Sequence, residues 1–241
     1  MHGALHGAWC WNVHFLDYFA RHGFEAHAVN LRGHGNSGGR RSLRWTRIAD
    51  YVEDVGNAAQ QVGDPPVLIG HSLGGFVIEK YLETHSVPAA VLLTTPPPSG
   101  LLPATLRIAR RHPLVFARIN LTLSLFPLVA TPALAREAFF SKDLPEEQLL
   151  EYWGQMQEDA FLGFLDMVML DLPKPPKART PVLVLGAALD NMLNPSENHA
   201  TARAYGTKAE IIANVAHNMM IELRWQTVAD RILMWLRELE H

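Results

Sequence analysis

Short apolar runs rich in valine, isoleucine and leucine recur along the chain, and stretches with helical periodicity separate most of them. Runs of this length suit β-strands buried on both faces, and their alternation with helices is typical of a parallel sheet. The predicted strands cover residues 24–31, 67–70, 89–95, 181–186 and, more weakly, 210–213. The predicted helices cover residues 13–22, 46–61, 75–85, 196–205 and 223–239. The sequence therefore predicts an α/β fold, in which a mostly parallel open sheet carries helices on both faces.

Residues 96–176 interrupt this alternation, because they contain helical patterns punctuated by prolines but no strand-like run. Ligands bind at the carboxyl edge of the strands in open α/β sheets. We expect this insertion to form a helical cap over that edge, inserted into a core made of residues 1–95 and 177–241. The cap is strongly apolar, and a subset of its side chains is expected to line an acyl pocket.

The composition argues against several classes of protein. The 241 residues carry 21 Lys and Arg against 24 Asp and Glu, a formal net charge of −3, so no basic surplus points to a nucleic-acid partner. The lone cysteine, Cys10, rules out an internal disulfide and is interpreted as a buried, inert thiol. No spacing of His, Asp and Glu suggests a metal, and we expect no cofactor. The uncharged run at residues 119–135 contains prolines and is shorter than the ~20 residues that a membrane-spanning helix needs.

A G-x-S-x-G motif centred on Ser72 lies between a predicted strand and a predicted helix, in the sequence VLIGHSLGGFVI. A sharp turn at this serine would lift its hydroxyl clear of the sheet, and the flanking glycines would leave room for the strand and helix backbones. The alternative is a serine in an ordinary strand-to-helix turn. The full context favours a nucleophile, which requires a general base because a serine hydroxyl is a poor nucleophile by itself.

The base and the acid are predicted from their positions after strands. His217 follows the last predicted strand and precedes the final helix, which sets it apart from the other histidines among the 12 in the chain. Asp190 follows the strand at residues 181–186 and would fix the tautomer of the base. The ordinary alternatives are a solvated or core histidine and a loop or capping aspartate. Ser72, Asp190 and His217 are therefore the candidate catalytic residues.

Two backbone N–H groups are needed to stabilise the oxyanion that forms on an attacked carbonyl. One is predicted at Leu73, directly after the nucleophile. The other is predicted in the N-terminal loop HGALHGAW, where an alanine follows each His-Gly pair. Ala4 is the favoured donor and Ala8 is the second candidate.

These motifs together resemble the α/β-hydrolase superfamily over nearly the full chain. HGALHGAWCW resembles the oxyanion loop of its esterase and methylesterase branches, GHSLGG the nucleophile elbow, LGAALDNMLNP the acid loop and NVAHNMM the histidine loop. In those branches the residue after the first His-Gly donates its N–H, which implies this role for Ala4. The resemblance implies a serine esterase or lipase-like hydrolase, for which a monoacylglycerol, a lysophospholipid or a small aryl ester is a plausible substrate.

The sequence departs from the family pattern at three places. No strand-like run precedes His2, where the family has a central strand, so we expect either an incomplete N-terminus or a rearranged sheet. Asn30 stands where many relatives have Asp and is interpreted as structural. Asn218 follows His217 where hydroxynitrile lyases with a similar N-terminal sequence carry lysine, which disfavours lyase activity. The N-terminus lacks a secretory signal pattern, and the cytoplasm is the default expectation.

The predicted function is hydrolysis of a small-molecule carboxylic ester with an apolar acyl or aryl part, through an acyl-enzyme at Ser72. One alternative is a non-catalytic binding protein with a hydrolase-like fold, and another is a cofactor-free perhydrolase that uses the same residues. Residues 33–38 also fit the glycine pattern of dinucleotide-binding loops. Because no helical pattern follows them directly, nucleotide binding is disfavoured.

Overall fold

A 4-stranded parallel sheet lies at the centre of the computed structural model, which describes residues 1–175 and 180–239. The strands, whose order in the sheet is their order in the chain, are β1 (Leu68–His71), β2 (Ala90–Leu93), β3 (Val182–Ala187) and β4 (Ala209–Ile212). Every neighbouring pair is parallel. Strands β2 and β3 are buried throughout, which agrees with their uninterrupted apolar sequences.

Helices surround the sheet and connect its strands. In chain order they are α1 (Trp9–Asn12), α2 (Phe15–Arg21), α3 (Ile48–Val62), α4 (Leu73–Tyr81), α5 (Leu102–Arg111), α6 (Pro113–Thr122), α7 (Pro132–Phe139), α8 (Glu146–Gly154), α9 (Phe161–Leu165), α10 (Pro195–Ala204) and α11 (Trp225–Leu239). The described residues contain no helix that is both long and apolar enough to cross a membrane.

Alternate residues of the central strands pack into two hydrophobic clusters, because successive side chains of a strand point to opposite faces. Val91 and Leu93 pack in one cluster with side chains of α2 and α11. Ala90 and Leu92 pack in the other cluster with side chains of α3 and α4. The sheet is thus covered by helices on both faces, as the sequence predicts.

The cap segment, defined here as residues 96–175, connects β2 to β3. It contains α5 to α9, a short 3₁₀-helix at Phe126–Val129 and a π-helical turn at Asp166–Leu170. No strand lies in this segment, all of which is described. The predicted end of the cap, at residues 176 and 177, lies outside the described residues.

The predicted strand at residues 24–31 is wrong, since residues 24–30 form neither helix nor strand. The apolar pattern itself was informative, because Phe24, Ala26 and Ala28 pack against the core. A strand also needs a neighbour that bonds its N–H and C=O groups. The outer edge of β1 is instead met by Met1, whose amino group donates to the Ile69 carbonyl at 2.5 Å. Without a strand beside it, the segment is held by its side chains.

Candidate active site

Ser72 lies at the sharp turn between β1 and α4, with φ 50° and ψ −117°. Such a backbone conformation is costly for a residue other than glycine and is concentrated at functional sites. A Cβ atom on Gly70 would lie 2.6 Å from the Gly74 carbonyl oxygen, and one on Gly74 would lie 2.5 Å from the His2 carbonyl oxygen. The turn therefore requires glycine at both positions, because main chain packs directly on main chain.

Asp190 follows β3, His217 follows β4, and their side chains form a hydrogen bond. The His217 Nδ1 to Asp190 Oδ2 distance is 2.8 Å, and the two side chains are 3% and 0% exposed. The Asp190 Oδ1 atom accepts the N–H groups of Met192 at 2.7 Å and Leu193 at 3.0 Å. Since the carboxylate accepts, Nδ1 of His217 carries the proton and Nε2 is left to accept one.

Two side chains donate hydrogen bonds to the backbone carbonyl of His217. Nε2 of His71 donates to the His217 carbonyl at 2.9 Å, and the Thr94 hydroxyl donates to the same oxygen at 3.2 Å. Burial lowers the pKa of His71 well below its usual value, so this ring is neutral. The Phe139 ring stacks on the His217 ring with centroids 5.5 Å apart. The histidine loop is thereby fixed relative to the end of β1.

Ser72 and His217 line the same cavity. Within residues 1–175 and 180–239, no hydrogen bond joins the Ser72 hydroxyl to the His217 ring. Such contacts are often long in an unliganded enzyme and tighten when substrate binds. The structure thus places Ser72 and His217 at one cavity at the carboxyl edge of the sheet, and Asp190 reaches this site through its hydrogen bond to the His217 ring.

The candidate oxyanion loop, defined as residues 3–6, borders the cavity beside Ser72. A Cβ atom on Gly3 would lie 3.1 Å from Cβ of Ser72, so the loop is in van der Waals contact with the candidate nucleophile. Ala4 lines the cavity. Leu73 is the first residue of α4, where an N–H group has no intrahelical carbonyl to bond. The Ala8 N–H already donates to Oδ1 of Asn30 at 2.7 Å, which favours Ala4 over Ala8.

The side chains of His6 and Asn218, for which the sequence predicted no such role, support this loop. Nδ1 of His6 donates to the Ala4 carbonyl at 2.7 Å, and Nε2 of His6 accepts from the Asn218 amide at 3.0 Å. Burial lowers the pKa of His6 to about 4, so the ring is neutral at physiological pH. Asp159 contacts the loop from the cap segment. The pairing of the two His-Gly steps in the sequence was the one signal that could have marked His6.

The cavity is almost wholly apolar. The cap segment supplies Pro96, Leu101, Ala104, Thr105, Ile108, Phe116, Ile119, Leu125, Leu128, Phe139, Phe164 and Met167 to its lining. Among the described residues that line it, none is Lys, Arg, Asp or Glu. The side chains of the site can therefore bind an apolar group next to Ser72 without placing a charge against it.

Other candidate residues lie apart from this chemistry. Burial raises the pKa of the Cys10 thiol to about 12, which agrees with an inert cysteine. Residues 33–38 form a loop, a short 3₁₀-helix follows at Arg40–Trp45, and α3 begins at Ile48. Within the described part of the chain, no cluster of His, Cys, Asp and Glu has the arrangement of a metal site.

The sheet, the turn at Ser72 and the loops after β3 and β4 define the α/β-hydrolase class of proteins. The family model described as "Alpha/beta hydrolase family" matches residues 1–231. The chain belongs to the alpha/beta hydrolase family, and the predicted fold is confirmed.

Relatives identified by sequence include esterases and a lipase. The chain is 32% identical over 85 residues to methyl jasmonate esterase 1 of Vitis vinifera, a match that covers 34% of this chain and 32% of the relative. It is 36% identical over 73 residues to a monoacylglycerol lipase of Mycolicibacterium smegmatis (strain ATCC 700084 / mc(2)155), covering 28% of this chain and 26% of the relative. The chain thus matches about a third or less of the length of these relatives, which support hydrolase activity in general terms.

Solved structures share the fold over nearly the whole chain. The putative non-heme bromoperoxidase BpoC from Mycobacterium tuberculosis H37Rv has a TM-score of 0.80 at 19% identity, over 99% of this chain and 91% of that chain. Polyneuridine aldehyde esterase has a TM-score of 0.72 at 18% identity, over 96% of this chain and 95% of that chain. At these identities the likeness concerns the fold.

Proposed function

We propose that the protein is a serine esterase in which Ser72, His217 and Asp190 form the catalytic triad. The observation that carries this proposal is the buried 2.8 Å hydrogen bond between Asp190 and His217, beside a serine held at a strained turn in the same cavity. A base fixed by a carboxylate and a nucleophile lifted out of the sheet are the two parts that acyl transfer requires.

Acylation begins when the Ser72 hydroxyl attacks the ester carbonyl and Nε2 of His217 takes its proton. Asp190 stabilises the imidazolium that forms. The carbonyl oxygen becomes an oxyanion and accepts hydrogen bonds from the N–H groups of Leu73 and Ala4. When the intermediate collapses, the carbon–oxygen bond to the alcohol breaks and the alcohol leaves with the proton of His217.

Deacylation repeats these steps with water as the nucleophile. His217 takes a proton from a water molecule that attacks the acyl carbon, and the same two N–H groups bind the second oxyanion. Collapse breaks the bond to Ser72, whose oxygen recovers the proton from His217. The products are a carboxylic acid and free enzyme.

The apolar cavity supports a substrate with an alkyl or aryl part. A side chain such as Ile119 or Phe116 can cover a hydrocarbon group but offers no partner for a charge. Methyl jasmonate and monoacylglycerol, which appear in the names of two relatives, are both esters with an extended apolar part.

A fluorophosphonate probe is expected to label the protein covalently at Ser72, because labelling requires an activated serine. Peptide mass spectrometry of the labelled chain identifies the labelled residue. Phenylmethylsulfonyl fluoride added first should block the label. A folded chain that takes up no label contradicts the esterase and favours the non-catalytic binding protein.

Acyl-chain preference tests the cavity. With p-nitrophenyl esters, kcat/KM is expected to rise by up to about fourfold per added methylene from acetate to hexanoate, since each buried CH₂ contributes ~0.8 kcal/mol. Ile119→Phe should shift the optimum to shorter chains, because Ile119 lines the cavity. Leu121→Phe, on the same helix but 85% exposed, is the matched control and should leave the preference unchanged. Activity on acetate alone contradicts an acyl pocket.

A further inference from the structure

We propose that Asp159, a buried carboxylate of the cap segment, is a positioning residue that fixes the oxyanion loop, and that His34 balances its charge. This inference rests on the proposed function, because it concerns the N–H group assigned to the oxyanion. It connects the cap segment to the chemistry through the contact between Asp159 and Leu5, and Asp159 itself does not line the cavity.

Four hydrogen-bond donors surround the carboxylate of Asp159, which is fully buried. Oδ2 accepts the Leu5 N–H at 2.7 Å and lies 3.1 Å from Nε2 of His34. Oδ1 accepts the Ala160 N–H at 2.6 Å and the Tyr51 hydroxyl at 3.3 Å. Both oxygens of Asp159 accept hydrogen bonds. This environment therefore fits an ionised carboxylate and neither an amide nor a protonated acid.

The peptide group that joins Ala4 to Leu5 is held from both sides. Its N–H is bound by Asp159, and its carbonyl accepts Nδ1 of His6 at 2.7 Å. Leu5 itself has φ 66°, a left-handed conformation that costs free energy in a residue other than glycine. The Leu5 carbonyl accepts the Gln157 N–H at 3.0 Å. Residues 157–159 of the cap segment therefore hold both polar groups of a strained residue next to the oxyanion donor.

Loss of the Asp159 contact would release this peptide group. With the Leu5 N–H unpaired and Leu5 in an unfavourable conformation, the loop would relax by rotation about the bonds that flank Ala4. The Ala4 N–H would then turn away from the position of the oxyanion, while the cap-segment residues that form most of the lining of the cavity would stay in place. The expected consequence is a lower kcat with little change in KM.

His34 balances the charge that Asp159 places beside the loop. Nδ1 of His34 faces the Arg32 carbonyl at 3.1 Å, and Nε2 faces Asp159. Since both partners accept, both ring nitrogens carry protons and the ring is an imidazolium. Burial acts to lower the pKa of His34, but the carboxylate outweighs it and raises that pKa. Burial likewise acts to raise the pKa of Asp159, yet His34 and the N–H donors lower it to about 2.

The ion pair matters because the reaction develops negative charge nearby. An isolated carboxylate behind the loop would repel the oxyanion, whereas a carboxylate paired with an imidazolium has little net field. The pair therefore gives the Leu5 N–H a strong acceptor without placing an uncompensated negative charge next to the transition state.

The test compares Asp159→Ala with Asp166→Ala. Asp166 is also a fully buried carboxylate of the cap segment; it bonds to Arg47 and to the Ile48 N–H and does not contact the oxyanion loop. With p-nitrophenyl butyrate, Asp159→Ala is expected to lower kcat by about 10- to 100-fold, less than the ~10²–10³ for complete loss of a donor, while KM stays within about threefold. The control should lose thermal stability to a similar extent but keep kcat within about threefold.

A second readout follows the oxyanion directly. An alkyl trifluoromethyl ketone forms a tetrahedral adduct with an oxyanion, so its affinity for Asp159→Ala should fall by the same factor as kcat. If this variant does not fold, His34→Gln replaces it: the amide still donates to Asp159 but carries no charge, and kcat should fall about 10-fold. If the wild type is labelled and active, and the Asp159 or His34 variant has the same kcat, this inference is overturned and the proposed function stands. A wild type that neither hydrolyses esters nor reacts with the fluorophosphonate overturns the proposed function and this inference with it.

Discussion

Replacement of Ser72 by alanine is expected to abolish fluorophosphonate labelling and to lower kcat for p-nitrophenyl butyrate by about 10⁶-fold. The reason is that the reaction loses its nucleophile: His217 can still take a proton, but the hydroxyl that would form the acyl-enzyme is gone. The residual rate over water would come from the N–H groups of Leu73 and Ala4 and from substrate binding. Stopped assays with purified protein and intact-mass spectrometry measure both effects.

The fold should survive this substitution. Alanine keeps the Cβ atom that the turn at φ 50° already accommodates, and the backbone bond from the residue 72 N–H to the Leu93 carbonyl at 2.9 Å remains. The unfolding temperature of Ser72→Ala should therefore stay within a few degrees of the wild-type value. Ser37→Ala, in which the lost hydroxyl donates to the Asn30 carbonyl outside the cavity, is the matched serine control and should retain labelling. Hydrolysis by Ser72→Ala at the wild-type rate would refute the assignment of the nucleophile.

The candidate triad could be placed from the sequence because its members follow strands. Ser72 comes directly after β1, Asp190 and His217 lie in the loops that follow β3 and β4, and the carboxyl ends of parallel strands meet at one edge of a sheet. Short apolar runs locate such strands without knowledge of tertiary contacts.

The segment at residues 24–31 shows where this reasoning stops. Its alternating apolar residues fit a half-buried strand, and they do pack on the core. A strand also needs a neighbouring strand to which its backbone can hydrogen-bond. The sequence of the segment alone does not show whether such a neighbour is present. The periodicity of a sequence reports which side chains are buried, so it predicts burial better than backbone pairing.

The support of the oxyanion loop could not be predicted for a related reason. Asp159 contacts Leu5 across a separation of 154 residues, and nothing near Asp159 in the sequence distinguishes it from Asp166 or Glu158. This contact exists only once the cap segment has folded onto the N-terminal loop. The same holds for Ile119 and Leu121, neighbours on α6 of which one lines the cavity and the other is 85% exposed.

Replacement of Asp190 by asparagine is expected to lower kcat by about 10⁴-fold, about 5.5 kcal/mol in activation free energy. The loop itself should hold, because the remaining amide oxygen can still accept the N–H groups of Met192 and Leu193 in place of Oδ1. The amide nitrogen then replaces Oδ2 and points its hydrogens at Nδ1 of His217. To accept this hydrogen bond, Nδ1 must give up its proton, and the neutral ring carries its proton on Nε2.

This change of tautomer separates the chemistry from the fold. With a proton on Nε2, His217 presents a donor to Ser72 and cannot take the serine proton, so both labelling by the fluorophosphonate and ester hydrolysis should slow by similar factors. KM should change little, because the acyl cavity is intact. Glu197→Gln is the matched control: Glu197 accepts the Asn194 N–H in the capping box of α10, directly after the acid loop, and does not contact His217. Because Glu197 also pairs with Arg107, this substitution should cost about 1.5–3 kcal/mol of stability, but it should leave kcat unchanged. An Asp190→Asn enzyme that retains a tenth or more of the wild-type kcat, with a normal unfolding temperature, would show that the buried hydrogen bond does not set the basicity of His217.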